Sequence, residues 1–457
     1  MDLENCRVLV YGTGKSGIGA ARLLRKVGAE PVFLDGNTSL DPEEIRKRAG
    51  MDAEVVLGEF PADRVGEMDL LVMSPGISCE VPLIGEFRKR GIPVWGEVEL
   101  AYRLGSGKVL AVTGTNGKTT TVSLLGKIMS DHWPEVYVVG NIGTPYTDVA
   151  LRQTENAWTV AEISSFQLET VDAFHPAASA VTNITEDHLD RHHDMETYIR
   201  MKERIAGRQT AEDICVLNYE DAVLREFAAT VPARVIFFSS ERPLEEGLYL
   251  EDGRILLAEG GRITEVVRTD ELQILGQHNH ENVMTAVAMA YFAGGVPLEE
   301  IRASVRTFAG VEHRIEFVDE IRGVRYYNDS KGTNPEAAIR AVCAMDRPTL
   351  LIGGGYDKGS TYEEWIRSFG NRVRFLALIG QTRETIAETA WACGFPKDRT
   401  AFYDSLQDAV RACAERAEEG EAVLLSPACA SWGQFKNYEQ RGDIFKQTVR
   451  ELKESVR

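Results

Sequence analysis

Lys108-Val-Leu-Ala-Val-Thr113, followed by Gly114-Thr115-Asn116-Gly117-Lys118-Thr119-Thr120, decides how the rest of the chain is read. The first six residues are a branched aliphatic run that a glycine turn cuts off, and the helical pattern Thr121–Met129 follows, so the segment reads as strand, loop and helix. The loop supplies what a triphosphate needs. Its backbone N–H groups cradle phosphate oxygens, Lys118 takes the terminal phosphates and the Thr119 hydroxyl holds Mg²⁺. Position 112, where the full phosphate-loop pattern has its first glycine, is Val. A glycine turn with a chance lysine is the competing reading, and the strand–loop–helix context argues against it.

Outward from this segment, the 457 residues fall into three stretches that each alternate apolar runs with helical patterns, an α/β arrangement with mostly parallel sheets. The first opens with Arg7–Tyr11, turns at Gly12-Thr-Gly14-Lys-Ser-Gly17, and carries strands Pro31–Leu34 and Leu70–Met73; its pattern fades near Trp95–Leu104. The second has further strands at Val136–Val139, Thr159–Ile163, Ala178–Thr182, Ile214–Leu217 and Val235–Phe238, and closes on a helix over His280–Ala293. The third has strands at Val324–Tyr327, Thr349–Ile352, Val373–Ile379 and Ala422–Leu425. Many of these runs end in polar residues or glycine, and open α/β sheets bind ligands at the carboxyl ends of their strands.

Composition narrows the function. A net charge of −19 argues against non-specific nucleic-acid binding, which needs a basic surface. Phosphate groups must then be met by local clusters of Lys, Arg and N–H groups. Seven scattered cysteines with no C-x-x-C pair suggest neither a disulfide framework nor structural zinc, and fit a reducing cytosol. The longest apolar stretch, near Val283–Val296, is shorter than the ~20 residues a membrane span needs.

Four further features carry chemistry. Gly12-x-Gly14-x-x-Gly17 with Asp35 after the next strand fits a dinucleotide fingerprint, but any tight strand-to-helix turn wants such glycines. Glu162 ends one strand, and Asp187-His188 follow another in Asn183-Ile-Thr-Glu-Asp-His188, which suggests a metal site beside the triphosphate loop; His188 is the unusual member for Mg²⁺. Lys202 shares the apolar face of the helix Met195–Ile205, where a lysine is costly unless paired or chemically altered; a lysine snorkelling at the rim is the plainer alternative. In the third stretch, His313-Arg314, Asn328-Asp-Ser-Lys331-Gly-Thr333-Asn-Pro335, Gly353-Gly-Gly-Tyr-Asp-Lys358 and Ser426–Gly442 gather more cationic and hydroxyl residues at strand edges than helix capping explains.

Taken together, TGTNGKTT, EISSFQLE, TNITEDHLDRH, GQHNHEN, EHR, NDSKGTNP and SPACASWGQFKNYEQRG, in this order over nearly the whole chain, resemble the Mur ligase family. The resemblance implies three domains: a Rossmann-like N-terminal domain at 1–98, a P-loop ATPase-like central domain at 99–310 and a Rossmann-like C-terminal domain at 311–457. With the SPGI turn at Ser74–Ile77 and the last of those segments, it implies a cytoplasmic, ATP-dependent amide ligase of peptidoglycan precursor synthesis, and so of cell-wall biogenesis and cell division. The enzyme would be a monomer that adds D-glutamate to UDP-N-acetylmuramoyl-L-alanine through an acyl phosphate, without membrane insertion or a nucleic-acid partner.

Residue by residue, the resemblance implies that Gly14, Lys15, Ser16, Asp35, Ser74, Pro75 and Gly76 hold the UDP part, with Asn141, Ser164 and Gln167 positioning the muramoyl chain. Gly114, Thr115, Asn116, Gly117, Lys118, Thr119 and Thr120 would bind ATP, helped by Asn279, Asn282, Arg314 and Asp329. Thr119 and Glu162 would ligate one Mg²⁺, and His188 with a carbamylated Lys202 a second; Lys118, Glu162, His188 and Lys202 form the catalytic group. Lys331, Thr333, Lys358, Ser431 and Tyr438 would form the D-glutamate pocket. The resemblance also implies two departures from the family's pattern: Asn37 stands where a basic residue is often expected, and Tyr438 where Phe is often expected.

Three rivals remain on the residues alone. A dehydrogenase built on Gly12–Gly17 and Asp35 leaves Lys118 and the third stretch unexplained. A ligase for another amino acid, or for folate polyglutamate, is opposed by the Ser426–Gly442 segment. A non-catalytic nucleotide-binding scaffold would release no ADP with any substrate pair.

Overall fold

The structure, a computed structural model, describes residues 2–456. Its strands form three sheets. The first joins β1 (Arg7–Tyr11), β2 (Glu30–Asp35), β3 (Val55–Leu57), β4 (Leu70–Met73) and β5 (Val94–Gly96) in the order β3-β2-β1-β4-β5, all parallel. The second contains β6 (Lys108–Thr113), β7 (Val136–Gly140), β8 (Trp158–Glu162), β9 (Ala178–Val181), β10 (Ile214–Asn218), β11 (Arg234–Ser239), β12 (Gly247–Glu251), β13 (Arg254–Glu259) and β14 (Arg262–Arg268). Its order is β14-β13-β12-β11-β10-β9-β6-β8-β7, parallel except for β13, which runs antiparallel to both its neighbours. The third joins β15 (Glu316–Ile321), β16 (Val324–Asn328), β17 (Thr349–Gly353), β18 (Val373–Leu378), β19 (Thr400–Phe402) and β20 (Ala422–Leu425) as β15-β16-β20-β17-β18-β19, with β15 antiparallel.

The chain divides into two compact units, Met1–Thr269 with His280–Val305, and Asp270–Asn279 with Arg306–Arg457. The first unit holds the first two sheets, and one apolar core, from Val8 and Phe33 to Val109 and Cys215, runs through both. In the second unit the sheet is covered on both faces, by a core around Trp365 and Tyr327 and by one around Phe445 and Val423. Strands buried on both faces read as continuous aliphatic runs, which is why β1, β4, β6 and β20 are plain in the sequence.

Register places the strand ends level. In the second sheet Val112 pairs with Glu162, Glu162 with Gly140, and Thr113 with Val181, so Gly114, Asn141 and Thr182 leave one edge together. In the third, Asn328 and Ile352 both pair with Leu425, which sets Asp329, Gly353 and Ser426 along one edge.

Several elements were not legible. Residues 95–104, where the pattern fades, form the end of β5 and the helix Glu97–Leu104. The inward positions of that helix include two buried carboxylates that break its apolar stripe. Glu97 accepts from Thr147 N and Oγ1 at 2.7 and 2.8 Å, and Glu99 accepts from the amides of Asp172, Ala173 and Phe174 at 2.7–3.1 Å. The edge strands β3, β14, β15 and β19, and the hairpin strands β12 and β13, also lack an apolar run of distinctive length. The helix expected over 280–293 spans Gln277–Phe292.

Candidate functional site

The helix Lys118–His132 starts behind Gly117, whose φ of 85° is left-handed and which, as glycine, offers the first turn no side-chain cap. Open amides plus the helix dipole make an anion site. A Cβ on Gly117 would lie 2.2 Å from Asn282 Oδ1, so the turn and the buried Asn282 are fitted to one another. Asn282 Oδ1 also accepts from Thr121 Oγ1 at 3.3 Å. Asn116 N donates to Asn183 Oδ1 at 2.9 Å, and Thr182 Oγ1 donates to Asn116 O at 2.6 Å, which ties the loop to the end of β9. Thr119 and Thr120 lie in the first turn of the helix.

Lys118 Nζ donates to Gly114 O and Thr115 O, both at 2.8 Å. Lys202 Nζ reaches the same Gly114 O at 2.7 Å from the helix Met195–Glu203, and lies 4.6 Å from the centre of the Tyr198 ring. Lys202 is 2% exposed, so the sequence places it correctly on the inward face and the snorkelling alternative fails. Burial first, and then the Lys118 charge, lower its pKa from 10.5 to about 7. Tyr198 is held by Thr115 Oγ1 at 3.0 Å, so the helix and the loop are joined twice.

Glu162 is buried at the end of β8. Its Oε1 accepts from Asn141 Nδ2 at 2.7 Å, while its Oε2 is buried without a hydrogen-bond partner among the described residues. A buried carboxylate oxygen with no donor, on the strand paired with the one that leads into the phosphate loop, fits a hard cation. His188 has a left-handed φ of 54°, sets its ring 4.8 Å from that of Phe166 at a tilt of 52° and keeps Nε2 3.4 Å from Asp187 Oδ2; its side chain is half exposed. Among the described residues no hydrogen bond or ion pair joins it to Glu162 or Lys202. Ser164 and Gln167 cap the short helix Ser165–Leu168 reciprocally, with Gln167 Oε1 accepting from Ser164 N and Oγ at 2.9 and 3.0 Å.

In the first sheet the turn Gly12–Gly17 is compressed. A Cβ on Gly17 would sit 1.8 Å from Gly12 O, so packing alone requires this glycine, whereas nothing lies within 4 Å of a Cβ on Gly14. Gly14 leads the helix Lys15–Lys26 without a side-chain cap, leaving amides around Lys15 and Ser16 open. Asp35 accepts from Thr13 N, Thr13 Oγ1 and Asn37 N at 2.7–3.0 Å. Burial raises its pKa, but these hydrogen bonds prevail and hold it below the usual carboxylate range. Asn37 Oδ1 accepts from Ser39 N and Oγ. Ser74, Pro75 and Gly76 form the turn after β4, where Arg191 Nη2 donates to Ile77 O at 2.7 Å and pairs with Glu169 at 2.7 Å.

In the second unit Arg314 lies next to Asp329. Asp329 Oδ1 accepts from Ile315 N at 3.3 Å and its Oδ2 from Ser426 Oγ at 2.7 Å; burial drives its pKa from 3.8 up to about 7. Asn279 is buried and donates to Leu275 O at 2.7 Å. Lys331 Nζ lies 5.7 Å from the Tyr438 ring centre, and Thr333 N donates to Lys331 O at 2.8 Å. Lys358 Nζ lies 4.7 Å over Trp432, which is 54% exposed and follows the buried Ser431.

Arg441 bridges these two groups, and the sequence reading assigned it no part. Fully buried, it donates to Ser330 Oγ and O at 3.0 and 2.8 Å and to Cys429 O at 3.1 Å, and burial lowers its pKa to about 10. Its signal was present: Arg441, Phe445 and Val449 repeat at helical spacing, so a cation occupies the inward face. Arg191 was also missed, because a lone arginine in a polar loop carries no pattern.

Three family models match the chain: the Mur ligase MurD-like N-terminal domain over residues 6–96, the Mur ligase middle domain over 112–290 and the Mur ligase glutamate ligase domain over 313–429. Proteins named UDP-N-acetylmuramoylalanine--D-glutamate ligase are similar over their whole length. That of Lachnospira eligens is 51% identical over 99% of this chain and 100% of its own, and that of Clostridioides difficile is 42% identical over the same shares. Among solved structures, UDP-N-acetylmuramate-alanine ligase MurC from Thermotoga maritima matches with a TM-score of 0.57 at 16% identity, covering 99% of this chain and 100% of that one. MurF from Acinetobacter baumannii also gives 0.57 at 16%, covering 98% and 93%. At that identity the structural likeness concerns the fold.

Proposed function

The chain belongs to the Mur ligase family, and from that premise we propose that it joins D-glutamate to UDP-N-acetylmuramoyl-L-alanine at the expense of ATP, in peptidoglycan precursor synthesis. The observation that carries the reading is the helix N-terminus behind Gly117, which has no capping side chain, with the buried Glu162 Oε2 on the neighbouring strand and without a hydrogen-bond partner among the described residues, in a chain similar end to end to D-glutamate ligases. We take 1–98, 99–310 and 311–457 as its three domains. On the family reading we propose that the reaction takes place in the cytoplasm; separately, no helix among the described residues is long and apolar enough to cross a membrane.

A carboxylate does not react with an amine at neutral pH. Transfer of the γ-phosphoryl group of ATP to the alanyl carboxylate gives an acyl phosphate with a good leaving group. The D-glutamate amine attacks it, and the tetrahedral adduct collapses to amide and phosphate. Lys118 moves from the Gly114 and Thr115 carbonyls onto the terminal phosphates and balances charge during transfer. Open amides at Thr119 and Thr120 orient the phosphates, with Arg314, Asp329, Asn279 and Asn282 around the rest of the nucleotide. Thr119 and Glu162 would hold Mg²⁺, which supplies charge neutralisation and Lewis acidity when bound. Gly14, Lys15 and Ser16 meet the diphosphate, Asp35 and the Ser74–Gly76 turn the nucleoside, and Asn141, Ser164 and Gln167 the muramoyl chain. Lys331 and Lys358 pair with the two carboxylates of D-glutamate, and Thr333, Ser431 and Tyr438 complete its pocket.

Lys202 belongs to the same reading. With a pKa of about 7 it offers a neutral amine at physiological pH. Such an amine adds CO₂, forming an N–C bond and releasing a proton, and the resulting carbamate is an oxygen donor suited, with His188, to a second Mg²⁺.

Phosphate release with UDP-N-acetylmuramoyl-L-alanine, ATP and a panel of amino acids tests the proposal. Release with D-glutamate alone supports it. Equal release with L-lysine or diaminopimelate removes the substrate assignment, and no release with any member removes the ligase assignment.

A further inference from the structure

Arg314 stands between two residues in the left-handed region, His313 at φ 63° and Ile315 at φ 44°. Neither is glycine, and for a β-branched residue such a φ is an outlier that persists only where its surroundings over-determine it. The surroundings here converge on Glu316. Its Oε2 accepts from His313 N at 2.9 Å and from Asn328 Nδ2 at 2.9 Å; the same Asn328 amide meets His313 Nδ1 at 3.0 Å. Beyond that, His313 O accepts from Lys331 N at 2.9 Å and Ile315 N donates to Asp329 Oδ1 at 3.3 Å. The backbone that presents Arg314 is therefore fastened to Glu316, Lys331 and Asp329.

Glu316 has its own counter-ion. Lys446, from the helix Tyr438–Val456, is 8% exposed; its Nζ hydrogen-bonds Glu312 and lies 3.5 Å from Glu316 Oε1 and 3.4 Å from Asp443 Oδ1. Burial lowers its pKa, but the three carboxylates outweigh this and keep the ammonium charged. Glu312, His313 and Asp443 offer donor atoms within 4.8 Å of one another, and Lys446 supplies the positive charge among them. Without it, Glu316 would face two like charges and turn from His313.

We infer that Lys446 is a positioning residue for the nucleotide: through Glu316 it holds the strained His313–Ile315 backbone that aims Arg314. This rests on the reading of Arg314 as a nucleotide contact, and the test separates the two. Lys446→Met should raise the KM for ATP by about tenfold while the KM for D-glutamate moves less than about twofold, since a small misplacement of a charged contact is expensive. Lys446→Arg should return the KM for ATP toward wild type. Glu316→Gln, which keeps the volume, should repeat the effect and decides the matter if Lys446→Met does not fold. Combined with Arg314→Ala, Lys446→Met should add nothing to the KM for ATP. A Lys446→Met or Glu316→Gln enzyme with unchanged KM for ATP, or with both KM values raised alike, overturns the inference. If Arg314→Ala itself leaves the KM for ATP unchanged, the premise about Arg314 fails instead.

Discussion

Lys118 and Lys202 donate to one acceptor, the carbonyl oxygen of Gly114, at 2.8 and 2.7 Å. Two ammonium groups on one carbonyl, one of them buried, repel one another, and the buried one yields its proton more readily. The arrangement leaves Lys118 able to exchange a weak carbonyl partner for a phosphate, and leaves Lys202 reactive.

Lys118→Ala should cost turnover on the order of 10²-fold or more, the loss of a charge that stabilises the transferring phosphoryl group. Phosphate release, with circular dichroism as a check on folding, measures it. Near-normal turnover in a well-folded variant would remove the loop from the reaction.

Lys202 makes a prediction in each of two conditions. In CO₂-free buffer its folded pKa of about 7 lies below the unfolded value of 10.5, so the unfolded chain binds more protons between them. Stability conferred at this position must then rise with pH over that window, by on the order of 5 kcal/mol in full. Urea unfolding of wild type minus Lys202→Met should shift in favour of wild type from pH 7 to pH 9; a flat difference contradicts the burial argument. With CO₂ and Mg²⁺ present, Lys202→Ala should lose most activity and short-chain carboxylates should restore part of it. Full activity in Lys202→Ala would end the carbamate proposal.

Asp329 titrates in the opposite sense. Its folded pKa of about 7 exceeds the unfolded 3.8, so the folded state holds the extra proton and stability is lost as pH rises from about 4 to 7. The stability of wild type minus Asp329→Asn should fall across that window, by on the order of 4 kcal/mol. A difference that grows with pH would show that Asp329 is ionised throughout.

Amino-acid choice should follow Lys358 and Ser431. Removing one charged partner of a dianionic substrate should raise the KM for D-glutamate by roughly 10-fold to 100-fold, the loss expected when a charge-assisted contact is removed. Lys358→Ala and Ser431→Ala should spare the KM for ATP. The Lys358 ammonium sits over Trp432, so Trp432→Ala should act in the same direction and more weakly. Equal changes for both substrates would point to disrupted folding of the second unit.

The sequence by itself determined the buried strands, the phosphate loop and the inward face that carries Lys202, because each is local: an aliphatic run covered on both faces, a glycine turn feeding a helix, and a residue in helical phase with Tyr198 and Ile205. It also placed Glu162 and Asp329 at strand ends. Tertiary structure alone decided what those residues touch. Glu97 and Glu99 broke the apolar stripe of their helix because amides 50 and more positions away satisfy them. Arg441 and Lys446 are buried cations whose partners, Ser330 and Glu316, lie more than a hundred residues earlier in the chain. A buried charge is affordable only with partners, and partners brought together by sheet register rather than by neighbouring sequence leave no periodic trace to read.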